Sequence, residues 1–298
     1  MHRITAADKC INLILGAVLR LRGSKKLFSS VDSAKRYLDK INGRSEKIVL
    51  RGKYKSQVRE FYCGTMQCFS FRSDAACEKT VIYLPGGAFV RQPSVQHFKF
   101  ADRLCRATGA EIIICIYPKA PEHTYSKTLA AVAELYRQLL DAHTPEDIII
   151  GGDSAGGTVA ALLPAFFAEN SLPQFSKMFL FSPMLSLSLD INNVREIEHK
   201  DPMLSVDGLK YFAQQWYGEK NGQNDPAAVS LDNMPKIYCF CGKTDMLTFY
   251  SEKFFEKMKK AKKPFELHVF DGMYHVFPLY PLKAAREVFG NVCRFIKE

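Results

Sequence analysis

The stretch Ile148-Ile-Ile-Gly-Gly-Asp-Ser-Ala-Gly-Gly157 decides how the rest of the chain is read. Three consecutive isoleucines, β-branched and apolar at every position, describe a strand covered on both faces. The turn that follows contains Gly152-x-Ser154-x-Gly156, and a helical pattern starts at about Gly157. Strand, sharp serine-bearing turn and helix together are the context of a nucleophile elbow. Side chains at 152 and 156 would collide with the neighbouring strand and helix, so the turn wants glycine on both sides of Ser154.

Outward from this stretch, short β-rich runs alternate with longer helical patterns from about residue 56. That is the signature of an α/β fold with a mostly parallel sheet. Residues 57–63 and 66–71 read as a hairpin around Gly64, followed by strands at 80–84, 111–117, 147–150, 177–182, 236–242 and 265–270, eight in all. Apolar residues at three-to-four spacing predict helices over 95–108, 128–142, 157–169, 250–260 and 282–297, the third kinked at Pro164. No repeat or low-complexity linker interrupts the series, so a single domain over 1–298 is expected. Residues 1–50 and 186–220 stand apart, with helical patterns such as 34–41 and 209–217 but no strands. The pattern alone leaves open whether they form a lid or a peripheral embellishment.

A serine hydroxyl needs a general base within hydrogen-bond reach and an acid to orient that base. In this fold the acid and then the histidine follow the serine along the chain. Three histidines qualify by position: His199, His268 and His275. His199 falls in a charged, solvated segment and His268 inside a strand. His275 lies in the loop Asp271-Gly-Met-Tyr-His-Val-Phe277 at a strand's C-terminal end, where open α/β sheets bind ligands, and is the expected base. Asp245, in Gly242-Lys-Thr-Asp-Met-Leu247, also follows a strand and is the preferred acid, with Asp271 as its competitor. Oxyanion donors are expected from the backbone of Ala155 and from Gly86 and Gly87 in Tyr83-Leu-Pro-Gly-Gly-Ala-Phe89.

These residues resemble the hormone-sensitive-lipase-like branch of the α/β-hydrolases, particularly its bacterial esterases. The marks are Pro85-Gly-Gly-Ala88, Tyr117-Pro-Lys-Ala-Pro-Glu-His123, Gly152-Asp-Ser-Ala-Gly156, Ser182-Pro183, Asp201-Pro-Met-Leu-Ser205, the loop around Asp245, and Gly272-Met-Tyr-His275, in that order. The resemblance implies a Ser154–His275–Asp245 triad hydrolysing carboxylic esters, usually of short acyl chains, and a helical cap built from residues 1–50 and 186–220. Pro85 stands where the family usually has histidine, losing a side chain thought to steady the loop. Ala88 replaces a glycine and keeps its N–H as a further expected oxyanion donor, provided its backbone needs no positive φ. Phe89, Val90, Tyr211, Phe212 and Trp216 are the candidate pocket residues. The shared chemistry leaves as alternatives a hydrolase of amides, thioesters or acetylated sugars, and a non-catalytic ligand-binding member of the fold.

Composition sets the remaining bounds. The chain has 298 residues, 47% hydrophobic and 24% charged, enough for a substantial core and incompatible with disorder. Its net charge of +10 reads as solvation of the surface. The most basic run, 253–263, looks like the cationic end of an amphipathic helix and not like a nucleic-acid footprint. Nine cysteines, odd in number and without metal-ligand spacing, point to a reducing, cytoplasmic setting. The apolar run 10–19 is too short to span a membrane and is followed by no cleavage motif. The expected chemistry calls for neither metal nor cofactor, and its partner is a small ester; a homodimer is compatible with the sequence.

Overall fold

The computed structural model describes residues 14, 16–18, 24–41, 47–75, 77–186, 191–218 and 225–298. The apolar run at 10–19 therefore lies largely outside the described residues, as do the ends of the 186–220 segment.

Eight strands form one sheet: β1 (Gln57–Cys63), β2 (Met66–Arg72), β3 (Thr80–Leu84), β4 (Glu111–Ile116), β5 (Ile148–Asp153), β6 (Lys177–Phe181), β7 (Lys236–Gly242) and β8 (Phe265–Phe270). Their spatial order is β1-β2-β4-β3-β5-β6-β7-β8, antiparallel where β2 meets β1 and β4 and parallel from there to β8. The parallel strands are apolar on both faces because each face has its own core. Ile148 and Ile150 enter one core with Ile113, while Ile149 enters the other with Ile112 and Ile114. The first core is closed by α4 (Tyr125–Leu139), α5 (Ala155–Glu169) and α8 (Thr248–Lys260), and the second by α3 (Val95–Thr108) and α9 (Lys283–Lys297).

The central strand β5 runs three residues further than its isoleucines suggest. Gly151, Gly152 and Asp153 stay paired with Phe179, Leu180 and Phe181 of β6, which carries the chain to the edge of Ser154 before it turns. The following helix starts at once, at Ala155, and continues without a break through Pro164.

Four further helices lie within the two segments that added no strands. They are α1 (Ser24–Phe28), α2 (Val31–Ile41), α6 (Ile191–Glu198) and α7 (Val206–Tyr217). Phe212 of α7 meets Phe28 edge-on at 5.8 Å and Tyr37 of α2 at 6.1 Å. Trp216 ties this helical group to the sheet domain: its ring stacks on Phe89 at 4.3 Å and its Nε1–H donates to Thr128 Oγ1 at 2.9 Å. Among the described residues no helix is long and apolar enough to cross a membrane.

Candidate active site

Ser154 sits between β5 and α5 with φ 50° and ψ −122°, a conformation few non-glycine residues adopt. Local crowding explains the glycines beside it. A Cβ at Gly156 would lie 1.9 Å from Leu84 O, and one at Gly152 would lie 2.8 Å from Gly156 O. The tight turn lifts the hydroxyl above the sheet and aims the N-terminal end of α5, with its partial positive charge, at the same space.

His275 and Asp245 reach Ser154 from loops after β8 and β7. His275 Nε2 lies 2.9 Å from Ser154 Oγ, and His275 Nδ1 lies 3.0 Å from Asp245 Oδ2. The two loops are fastened together by Thr244, whose N–H and hydroxyl both donate to Met273 O, at 3.0 and 2.6 Å. All three side chains are buried. Burial pulls His275 down, but the charge and hydrogen bond of Asp245, with Asp201 and Asp153 beyond it, win, so its pKa rises above the usual imidazole value. Asp271 faces elsewhere, paired with Lys243 at 3.4 Å. His268 bonds Glu266 at 3.1 Å and stacks on Phe240, and His199 is exposed.

On the other side of Ser154 lies the loop Pro85–Phe89. Gly86 differs from the expectation that it supplies an oxyanion donor, because its N–H is committed to Asp153 Oδ1 at 3.0 Å. Among the described residues the N–H groups of Gly87, Ala88 and Ala155 have no hydrogen-bond acceptor. Ala88 does take a positive φ, 52°, followed by Phe89 at 66°. The loop is steadied from behind without the histidine that Pro85 replaces. Asp153 also accepts from the Tyr83 hydroxyl at 2.9 Å and meets His97 Nε2 at 3.2 Å, while the Tyr117 hydroxyl donates to Pro85 O at 2.6 Å.

Residues 81–279, more than half of the chain, match the family described by its alpha/beta hydrolase fold. The chain belongs to the α/β-hydrolase family. This hydrolase is 25% identical over 246 residues to an esterase of Acinetobacter venetianus, covering 80% of this chain and 81% of that protein. It is 29% identical over 224 residues to the Mycobacterium tuberculosis esterase LipI, covering 70% and 68%. An esterase of the bacterial hormone-sensitive lipase family superposes with a TM-score of 0.82 over 98% of both chains, at 20% identity.

The cleft of the hydrolase above Ser154 has a volume of about 190 Å³, with Phe28, Met203, Leu204, Leu209, Val276 and Leu279 as apolar walls. The aromatic residues expected there lie elsewhere. Phe89 and Trp216 are buried in the contact between α7 and the sheet domain, Phe212 is buried against Phe28 and Tyr37 of α1 and α2, Tyr211 is half-buried beside Phe212, and Val90 faces a neighbouring cavity. The reason is helical geometry: residues 209, 212 and 216 share one face of α7, and only Leu209 reaches the cleft.

Asp201 is the residue that sequence reasoning passed over. Fully buried in the segment between α6 and α7, it accepts from the N–H groups of Met203 and Leu204 at 2.8 and 3.0 Å and from Met246 N–H at 3.1 Å. It thereby fixes the residue next to Asp245. Burial, with the charge of Asp245 adding to it, pushes the Asp201 carboxyl up to about 6. Its motif Asp201-Pro-Met-Leu-Ser205 was visible in the sequence, but its contact with a loop 45 residues away was not.

Proposed function

We propose that this chain is a serine carboxylic ester hydrolase of the carboxylesterase or acetylesterase type, acting on small or short-chain acyl esters. The observation that carries the reading is the continuous chain from Ser154 Oγ through His275 to Asp245, facing three unpaired backbone N–H groups. Ser154 Oγ attacks the ester carbonyl carbon while its proton passes to His275 Nε2. Asp245 holds the imidazole through Nδ1–H and stabilises the imidazolium. The developing oxyanion is met by the N–H groups of Gly87, Ala88 and Ala155. Collapse of the tetrahedral species breaks the bond to the leaving alcohol, which takes its proton from His275. Water then attacks the acyl-enzyme with His275 again as base, releasing the acid and restoring Ser154.

A cleft of about 190 Å³ holds the volume of only about six water molecules at roughly 30 Å³ each, which favours a short acyl group. We read α1, α2, α6 and α7 as the cap, since Phe28 and Leu209 from these helices wall the cleft. The eight described cysteines are free, and the sulfurs of Cys239 and Cys241 meet at 3.6 Å as a thiol–thiol hydrogen bond, which supports a reducing, cytoplasmic setting.

Turnover of 4-nitrophenyl acetate and butyrate by the wild type, lost in Ser154→Ala, is the expected result. Absence of wild-type turnover across a broad ester panel, or full activity in the variant, rejects the esterase reading. Turnover of amides, thioesters or acetylated sugars in preference to simple esters would select the alternative hydrolase.

A further inference from the structure

The cleft above Ser154 is the smaller of two adjoining cavities. The larger, about 710 Å³, lies behind the oxyanion loop. Arg91 and Gln92 line both. The partition between them is the turn that Val90 and Arg91 N–H close on Gly87 O, at 3.1 and 2.8 Å. Tyr37, Ile41, Met66, Val90 and Ile116 give the larger cavity a substantial apolar wall.

Set into that wall is Lys119, 8% exposed. Its Nζ donates to Tyr117 O at 2.9 Å and Gln92 Oε1 at 3.3 Å and lies 4.4 Å from the centre of the Tyr117 ring. An ammonium carries three N–H donors, and two are used here. No carboxylate pairs with it among the described residues. A buried charge in that position is costly until an anion joins it. Burial draws Lys119 down to about 7 against the opposing influence of Cys115. Arg91 adds a second cation at the rim, whereas Lys47 is already paired with Glu60 at 3.1 Å, and Glu122 is the one carboxylate among the cavity's lining residues.

We infer that this cavity binds a small amphipathic carboxylate, its acid group taking the spare Lys119 donor and its apolar part lying against Tyr37, Ile41 and Val90. A phosphate or sulfate would want several donors around it and would gain nothing from the apolar wall. The acid is either a free ligand or the distal end of an ester whose carbonyl lies at Ser154. Only the second source rests on the esterase reading.

The test is calorimetric titration of the full chain at pH 7 with octanoate and with its neutral counterpart octanamide. Octanoate should bind at least about tenfold more tightly, a difference of about 1.4 kcal/mol. Lys119→Met should abolish the difference while remaining folded by thermal unfolding, and Lys119→Arg should restore part of it. Equal affinity of the wild type for the two ligands, or an octanoate preference that survives in Lys119→Met, overturns the inference. Rates on monomethyl suberate and methyl octanoate separate the sources. A preference for the acid ester that disappears in Lys119→Met supports the site and places the acid on the substrate; equal rates with tighter octanoate binding support it with a free acid as ligand. If neither ester turns over, the acid is not the distal end of a substrate; 4-nitrophenyl acetate then decides the esterase reading, and the titration decides the cavity.

Discussion

The two sides of Ser154 are built on different principles. On the His275 side the parts are buried side chains held by charge: Asp245 bonds the imidazole at 3.0 Å, and Asp201 stands behind the loop that carries Asp245. On the proposed oxyanion side the parts are backbone N–H groups set by conformation, with φ of 142° at Gly87, 52° at Ala88 and 66° at Phe89, and Asp153 and Tyr117 anchor only the start of that loop, at Gly86 and Pro85. Removing a charge should therefore damage the first side most, and removing a packing contact the second.

The largest effect is expected for Asp245→Asn. An amide in that place favours the wrong imidazole tautomer, and in a serine protease the equivalent change costs about 10⁴ in kcat. A loss of that order with KM little changed is the expected kinetic result. A loss below about tenfold would show that Asp245 is dispensable as the orienting acid.

On the oxyanion side the comparable stress is Trp216→Ala. It removes the stack on Phe89, the residue that ends the strained loop, and leaves Thr128 Oγ1 without its donor. Truncating a buried aromatic costs about 3–5 kcal/mol, to be read from denaturant unfolding. Because the Phe89 end of the loop is held by packing on Trp216, kcat should fall as well, with the pH profile unchanged. A shifted profile would mean that the two sides of Ser154 are coupled.

Asp201→Asn probes the charged side more gently. The carboxylates facing His275 are Asp245, Asp201 and Asp153, and each favours the imidazolium. Since His275 must be neutral to accept the Ser154 proton, activity should rise with pH through its raised pKa. Asp201 is ionised above about 6, so over that range its removal weakens the imidazolium. The acidic limb of kcat/KM should move to lower pH, by up to about one unit, or about 1.4 kcal/mol. An unmoved limb would make Asp201 a purely structural support.

The same contrast governs what the sequence made legible. The proposed triad could be read because few side chains can do such chemistry, and Ser154, Asp245 and His275 each follow an apolar strand whose C-terminal end the pattern locates. The strands themselves followed from apolar runs covered on both faces. The oxyanion side was less legible, since its proposed donors are N–H groups that every residue except proline possesses. Gly86 looks no different from Gly87 until Asp153 is seen to occupy its donor. The α7 aromatics declared a buried face, but periodicity does not tell whether that face meets a cleft or the ring of Phe89.

The smallest expected effect is also the most informative about the oxyanion side. Ala88 holds φ at 52°, a conformation costing a non-glycine residue about 1–2 kcal/mol. Glycine would relieve that strain, yet it would free the unfolded chain by about 0.4–1 kcal/mol and delete a buried methyl worth about 0.8 kcal/mol. Ala88→Gly should therefore leave stability within about 1 kcal/mol of the wild type, measured by denaturant unfolding. The N–H directions survive, because glycine reaches the same φ without cost, and kcat should stay within about threefold. A fall of about a hundredfold at unchanged stability would show that the methyl of Ala88, and not only its N–H, positions the acyl group. The strain would then be a working part of the site, as the charges of Asp245 and Asp201 are proposed to be on the other side.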